Sequence, residues 1–165
     1  MGEVEENGES FVANARLKAL HWSGRVADLV LADDSGLEVD ALGGAPGVRS
    51  ARYGGVSLDD DGRNRMLIEA LSGVPSDRRG ARFVCVLVLA RAGRVVGQAR
   101  GVRCGRILAE PRGHGGFGYD PVFLVPELGW SFAELSGEDK LRHSHRGRAL
   151  TALRQVLGRR LADRG

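Results

Sequence analysis

A nearly unbroken apolar run, "ARFVCVLVLA" at Ala81–Ala90, restricts the fold of this chain more than any other segment. Its β-branched and apolar residues predict a buried strand long enough to cross a sheet. Ala92 and Gly93 then form a two-residue turn, and the next run, Val95–Arg100, completes a predicted hairpin. A further strand is predicted over Arg103–Leu108. The chain must therefore build a β-sheet that contains a hairpin.

Helical patterns lie on both sides of these strands. Apolar spacing predicts an amphipathic helix over Phe11–Ala19 and a shorter one over Asp60–Leu71. Ser136 followed by acidic residues is typical of a helix start. A stripe at helical spacing predicts a last helix that carries Leu150, Leu153, Leu157 and Leu161. Together these elements indicate an α/β fold with a mixed sheet, in one domain over residues 1–165.

Composition excludes several classes of protein. No apolar stretch approaches the roughly 20 residues of a membrane span, and the acidic start lacks the features of a signal peptide. Cys85 and Cys104 lie in apolar or strand-like surroundings, so we expect buried thiols in a reducing compartment, the cytoplasm. The 22 arginines are dispersed and only nine residues are aromatic, which argues against nucleic-acid binding.

Paired carboxylates follow an apolar segment near the start of the chain. The predicted strand Val26–Ala32 runs into Asp33-Asp34-Ser35, with Leu37 and Val39 alternating as a possible continuation. Strand ends are where open α/β sheets bind ligands, and hard oxygen ligands suit Mg²⁺ carrying phosphates. The alternative is an ordinary turn. A second carboxylate would come from the acidic terminus, which could also be only a solvated run: Glu3, Glu5, Glu6 and Glu9.

Two later segments could hold the rest of a ligand. "GHGGFGYDP", from Gly113, lets the backbone approach a planar group on which Phe117 can stack, although a glycine-rich loop alone is weak evidence. "KLRHSHRGRAL", from Lys140, offers cations for a phosphate or a carbonyl edge, or else a solvated basic face. The histidines fit no standard zinc spacing. These pieces together predict a metal-bound nucleotide.

The same segments carry a family resemblance. In order, "ENGESFVANARLKA", "ADDSGLEVDALGGAPGVRSARY", "GGFGYDPVF" and "SHRGRAL" closely resemble the inosine triphosphate pyrophosphatase family, from about Glu5 to about Leu157. The resemblance implies an elongated central sheet flanked by helices and a homodimer. It also implies Mg²⁺-dependent hydrolysis of XTP, ITP and dITP to the monophosphate and pyrophosphate, which removes deaminated purines from the nucleotide pool.

The resemblance also implies roles for individual residues. Asp34 matches the metal-binding carboxylate and general base, Ser35 a substrate contact, and Glu5 the second Mg²⁺ ligand, with Glu6 as the alternative. The base would be cradled by Phe117, Gly118, Tyr119 and Asp120. The nucleotide would also be contacted by Lys140, His145 and Arg146, the last two at the 6-keto group, and by Lys18 near the phosphates.

One family feature is missing from this sequence. Family members begin with a strand and a T/S-x-N-x-x-K loop that holds the phosphates, and neither precedes the acidic segment here. We expect either an enzyme whose start is misassigned or truncated, or a shortened, non-catalytic nucleotide-binding remnant. The intact downstream motifs favour the enzyme.

Overall fold

The computed structural model describes residue 4 and residues 6–162. The four α-helices in this part of the chain are α1 (Phe11–Ser23), α2 (Asp60–Ala70), α3 (Gly137–His143) and α4 (His145–Ala162). The strands are β1 (Val30–Val39), β2 (Gly80–Arg91), β3 (Arg94–Ile107), β4 (Phe123–Val125) and β5 (Trp130–Ser131). Among the described residues, no helix is both long enough and apolar enough to span a membrane.

The five strands form one sheet in the order β1-β2-β3-β4-β5. Ala92 and Gly93 join β2 to β3 with φ of 49° and 70°, the two positive values that a tight hairpin turn requires. β4 pairs antiparallel with β3 and with β5. The α/β class with a helix-flanked sheet is confirmed, but the described strands are antiparallel rather than mixed. The two strands predicted over Val95–Leu108 form one 14-residue strand, β3.

By compactness the chain divides into two units. The first contains the residues up to Ser35, Val84–Val102 and the residues from His145 onward, and the second contains Gly36–Phe83 and Arg103–Ser144. Strands β1, β2 and β3 each contribute residues to both units. The single domain over 1–165 stays a prediction.

In the first unit, α4 packs against β3 across glycines. A Cβ on Gly101 would lie 2.0 Å from the His145 carbonyl oxygen, and one on Gly97 would lie 3.1 Å from a Leu157 methyl group. Any larger side chain at Gly101 would push the first turn of α4 away. The predicted leucine stripe of α4 is only partly buried: Leu153 is buried, but Leu150 is 39% exposed. The core of this unit contains Cys85, Leu87, Ala99, Ala149 and Leu153.

In the second unit, three phenylalanines form the centre of the core. The Phe83 ring centroid lies 4.6 Å from that of Phe123 and 5.7 Å from that of Phe132. Helix α2 contributes Leu67 to this core, and Leu71 follows at its C-cap, whereas Met66 is 41% exposed. This core supports the segments that precede and follow the glycine-rich loop.

Strand β1 differs from its prediction. It begins at Val30 rather than Val26 and continues through Asp33-Asp34-Ser35 to Val39, so the carboxylates lie within the strand and not at its end. Burial continues past them, with Asp34, Leu37 and Val39 buried. The apolar residues before them are largely exposed, at 57% for Leu29 and 50% for Leu31.

Candidate active site

Asp34 is a buried carboxylate held by one face of α1. It lies on β1 with 8% of its surface exposed. Asn14 Nδ2 donates to its Oδ2 at 3.3 Å, and Lys18 Nζ donates to its Oδ1 at 3.2 Å. Asn14 and Lys18 are four residues apart, so both reach Asp34 from the same side of the helix. Each oxygen of this carboxylate therefore has its own donor from α1.

Glu6 completes a line of alternating charge. Its Oε1 accepts from Lys18 Nζ at 3.0 Å, so one ammonium joins the carboxylates of Glu6 and Asp34. Burial alone would lower the pKa of Lys18, but hydrogen bonds and charge from Glu6 and Asp34 outweigh it and raise that pKa. Glu5, the preferred second metal ligand, lies outside the described residues.

Burial sets the proton affinity of Asp34. It raises the pKa of this carboxyl above its ordinary value, and the opposing effects of Lys18 and Asn14 do not offset it. The negative charge of Glu6 acts in the same direction as burial. A carboxylate with a raised pKa is a better proton acceptor than an exposed aspartate, which suits a general base.

Asp33, the neighbour of Asp34, pairs with a different element. Arg146 Nη2, in the first turn of α4, donates to Asp33 Oδ2 at 2.7 Å, and Ser35 Oγ donates to the same oxygen at 3.2 Å. Burial alone would raise the pKa of Asp33, but the hydrogen bond and charge of Arg146 outweigh it and lower that pKa. His145, which begins α4, is buried. We call Glu6, Asn14, Lys18, Asp33, Asp34, Ser35 and Arg146 the carboxylate cluster.

In the second unit, Asp120 organises the glycine-rich loop. Its Oδ2 accepts from the Phe117 backbone N–H at 2.8 Å and forms a short ion pair with Lys140 Nζ. Gly116 has φ of 75°, and a Cβ there would lie 2.0 Å from the same oxygen. Glycine adopts this positive φ readily and has no Cβ to clash with the carboxylate oxygen. Gly116 therefore lets the loop close tightly around the Asp120 carboxylate.

The Phe117 ring is the exposed face of this loop. It is 62% exposed, whereas Tyr119 and Asp120, which follow in the same segment, are buried. The Lys140 ammonium lies 4.2 Å from its ring centroid, within the range of a cation–π contact. The aromatic face and the cation together can receive a planar group that carries negative charge or a carbonyl oxygen.

Gly118 and Tyr119 are fixed from within the second unit. Asp60 accepts from the Gly118 N–H at 2.6 Å, and Asn64 donates to the Gly118 carbonyl at 3.0 Å. The Tyr119 hydroxyl donates to the Ser50 carbonyl at 2.8 Å, and burial raises the pKa of that phenol. The side chains of Tyr119 and Asp120 are thus used inside the protein. We call Phe117, Gly118, Asp120, Lys140, Asp60 and Asn64 the glycine-loop cluster.

Several of these residues were not expected from the sequence. Asn14, Asp60 and Asn64 had no predicted role, although the i, i+4 spacing of Asn14 and Lys18 was a usable signal. Cys85 is buried as expected, but Cys104 is exposed because it lies on the open face of β3; both are free thiols. No group of three or more His, Cys, Asp or Glu side chains converges as a metal site within the described part of the chain.

Comparison with known proteins agrees with these motifs. The model of the Ham1 family matches residues 1–156. The chain belongs to the Ham1 family. The resemblance to the inosine triphosphate pyrophosphatase family is thereby confirmed.

Curated relatives have one name in common. A dITP/XTP pyrophosphatase of Gloeobacter violaceus is 55% identical over 150 residues, which are 91% of this chain and 74% of that protein. A dITP/XTP pyrophosphatase of Desulforamulus reducens is 52% identical over 157 residues, 95% of this chain and 78% of that protein. The prediction of a nucleotide-hydrolysing enzyme agrees with both names.

Solved structures have the same fold. A HAM1 protein from Coxiella burnetii superposes with a TM-score of 0.88 at 42% identity, covering 96% of this chain and 81% of its own. A nucleoside-triphosphatase / dITP/XTP pyrophosphatase from Mycobacterium abscessus gives a TM-score of 0.77 at 44% identity, covering 93% and 78%. The roles expected of individual residues stay predictions.

Proposed function

We propose that this chain hydrolyses XTP, ITP and dITP to the monophosphate and pyrophosphate, with Mg²⁺, and so removes deaminated purines from the nucleotide pool. The observation that carries the proposal is the carboxylate cluster, where the buried Asp34 is clamped by Asn14 and Lys18. Membership of the Ham1 family and the names of the relatives support the reaction.

Asp34 is the proposed catalytic base. It would remove a proton from a water molecule that attacks the α-phosphorus. Lys18 would hold the phosphates while its ammonium offsets the charge of Glu6 and Asp34. Ser35 and Arg146 would reach the substrate from the Asp33 side of the cluster.

The carboxylates fit a magnesium ion. Glu6 and Asp34 already converge on one positive charge, the Lys18 ammonium, and Mg²⁺ in nucleotide sites is usually held by one or two carboxylates plus the substrate phosphates. Asp34 with Glu6 or Glu5 would therefore hold the ion. When bound, Mg²⁺ would offset the charge that develops on the leaving pyrophosphate.

The glycine-loop cluster is the proposed contact for the base. Phe117 would stack on the purine, Gly118 and Tyr119 would contribute backbone, and Asp120 would keep Lys140 in place beside the ring. His145 and Arg146 would donate to the 6-keto oxygen. An adenine amino group at that position would leave these donors without an acceptor, which such sites reject strongly.

Two further expectations belong to the proposal. We propose a cytoplasmic protein, in keeping with the free thiols of Cys85 and Cys104. We also propose a homodimer, because the exposed apolar residues Leu29 and Leu31 are a surface that a second copy could cover. Light scattering on the purified chain would distinguish one copy from two.

The test is pyrophosphate release by the purified chain with XTP, ITP, dITP and ATP, each with and without Mg²⁺. The proposal predicts Mg²⁺-dependent release from the first three and little from ATP. Binding of ITP without release by the folded chain would contradict it and favour the non-catalytic alternative. Equal release from ATP would contradict the proposed base recognition alone.

A further inference from the structure

Asn14 is a fully buried amide whose two ends reach two different parts of the first unit. Its solvent exposure is 0%. Its Oδ1 accepts from the Gly8 backbone N–H at 2.8 Å, and its Nδ2 donates to Asp34 Oδ2 at 3.3 Å. A buried amide costs free energy unless its polar atoms are paired, and here both ends are.

The orientation of the amide follows from its partners. A backbone N–H is only a donor, so the atom that faces Gly8 must be the oxygen. The NH₂ group must then face Asp34, where a carboxylate can only accept. Reversing the amide would set two donors against each other at Gly8 and two acceptors against each other at Asp34.

The packing around Gly8 is adapted to this contact. A Cβ on Gly8 would lie 2.6 Å from Asn14 Oδ1 and 2.8 Å from the Ala13 Cβ. Glycine therefore lets the backbone come close enough for the hydrogen bond. Gly8 is two residues after Glu6, whose carboxylate meets Lys18 on the same helix.

We infer that Asn14 is a positioning residue, which orients the Asp34 carboxylate and fastens to α1 the segment that carries Glu6. This inference rests on the proposed function, since the carboxylates it positions are the proposed base and metal ligands. Lys18 holds the other oxygen of Asp34, so Asn14 stops the carboxylate from rotating about the single Lys18 contact. Outer partners of this kind typically change activity about 10–100-fold when they are removed.

The test separates the two ends of the amide. Asn14→Asp keeps an oxygen for Gly8 but loses the donor to Asp34, whereas Asn14→Ala loses both. Ser23→Ala is the matched control, because Ser23 is also a buried polar residue of α1 and its hydroxyl bonds the Leu20 carbonyl. The measurements are kcat and KM for ITP, and hydrogen exchange at the Gly8 amide without nucleotide.

The expected result is a fall in kcat of about 10–100-fold in both Asn14 variants, with KM within about threefold and Ser23→Ala close to wild type. Exchange at Gly8 should accelerate about fivefold in Asn14→Ala but not in Asn14→Asp. Wild-type kcat in Asn14→Asp, an equal loss in Ser23→Ala, or unchanged Gly8 exchange in Asn14→Ala would each overturn the inference.

The proposed function and the positioning role of Asn14 can be disproved independently of each other. If wild-type chain releases no pyrophosphate, the reaction is wrong, while the Gly8 exchange rates still decide whether Asn14 fastens that segment. If wild type is active and Asn14→Asp is equally active, only the positioning role is wrong.

Discussion

The carboxylate cluster and the glycine-loop cluster hold their charges by different means. In the first, Asp33 and Asp34 are adjacent in sequence but pair with different helices, Arg146 of α4 and Lys18 of α1. In the second, Asp120 closes the four-residue turn that begins at Phe117 and takes Lys140 as its cation. The first cluster thus depends mainly on contacts between distant segments, whereas the second adds contacts from α2 and α3 to a turn that Asp120 closes locally.

This difference divides the expected effects of mutation. Changes in the carboxylate cluster should act on the chemical step, because its groups surround the proposed base. Arg146 is the exception, since its proposed contact is the 6-keto oxygen of the purine. Changes in the glycine-loop cluster should act on nucleotide affinity and on stability, because its polar groups also hold the loop. The predictions below test this division, from the largest effect to the smallest.

Asp34→Asn should lower kcat about 10³-fold with ITP, because the amide cannot accept the proton of the attacking water. Preference for ITP over ATP should change little. The measurement is pyrophosphate release at saturating nucleotide, with Asp28→Asn, an exposed aspartate in the same unit, as the control. If the variant lost its preference for ITP over ATP but kept its turnover, Asp34 would not be the catalytic base.

Lys140→Met should raise KM for ITP about 10–100-fold with kcat less affected, since it removes the cation beside Phe117. It should also lower the free energy of unfolding by about 1–3 kcal/mol, because the buried Asp120 loses its ammonium partner. Urea titration and steady-state kinetics measure the two effects.

A double variant separates the effect of Lys140 on nucleotide affinity from its effect on stability. Adding Asp120→Asn to Lys140→Met should recover much of the stability without restoring affinity, because the neutral amide still accepts from Phe117 and no longer needs the cation. Recovery of affinity in the double variant would show that Lys140 only stabilises the loop.

Arg146→Met should reduce discrimination between ITP and ATP by about tenfold or more, because a donor to the 6-keto oxygen is lost. Asp33→Asn keeps an oxygen acceptor for Arg146 and should have a smaller effect. Ratios of kcat/KM for the two nucleotides measure this. Full discrimination in Arg146→Met would exclude the residue from base recognition.

Glu134 should give the smallest effect, a pH dependence of stability. The Ser131 backbone N–H, together with Arg112, lowers the pKa of this carboxyl below its ordinary value of 4.5. Its stabilising contribution is therefore complete above pH 4.5 and is lost as the pH falls through the lower folded pKa. Glu134→Gln should be less stable than wild type at pH 7, and the gap should shrink at acid pH; a constant gap would contradict this origin.

Local patterns predicted much of the fold. The apolar run of β2 and the Ala92-Gly93 turn were found because strand and hairpin signals lie within a few residues. The extent of β1 was not predicted, because three polar residues in succession resemble a strand end when their partners on α1 and α4 are not known. The break predicted within β3 was wrong because Gly101 weakens the strand pattern, yet packing against α4 requires it.

Site residues were predictable where the family resemblance implied a role for them. Asp34, Lys18 and Arg146 were named from the sequence, but the division of the two aspartates between Lys18 and Arg146 was not, since it depends on tertiary contacts. Asn14 was missed because a single asparagine in an amphipathic helix resembles a solvated residue. Its burial and its hydrogen bond to Asp34 show that it belongs to the cluster.

The central claim is that water attacks the α-phosphorus and pyrophosphate leaves. Hydrolysis of ITP by the wild-type chain in ¹⁸O-labelled water tests it most directly, with the products analysed by mass spectrometry. The account predicts one ¹⁸O atom in the inosine monophosphate and unlabelled pyrophosphate. Label in the pyrophosphate, or release of orthophosphate from the γ position, would contradict it.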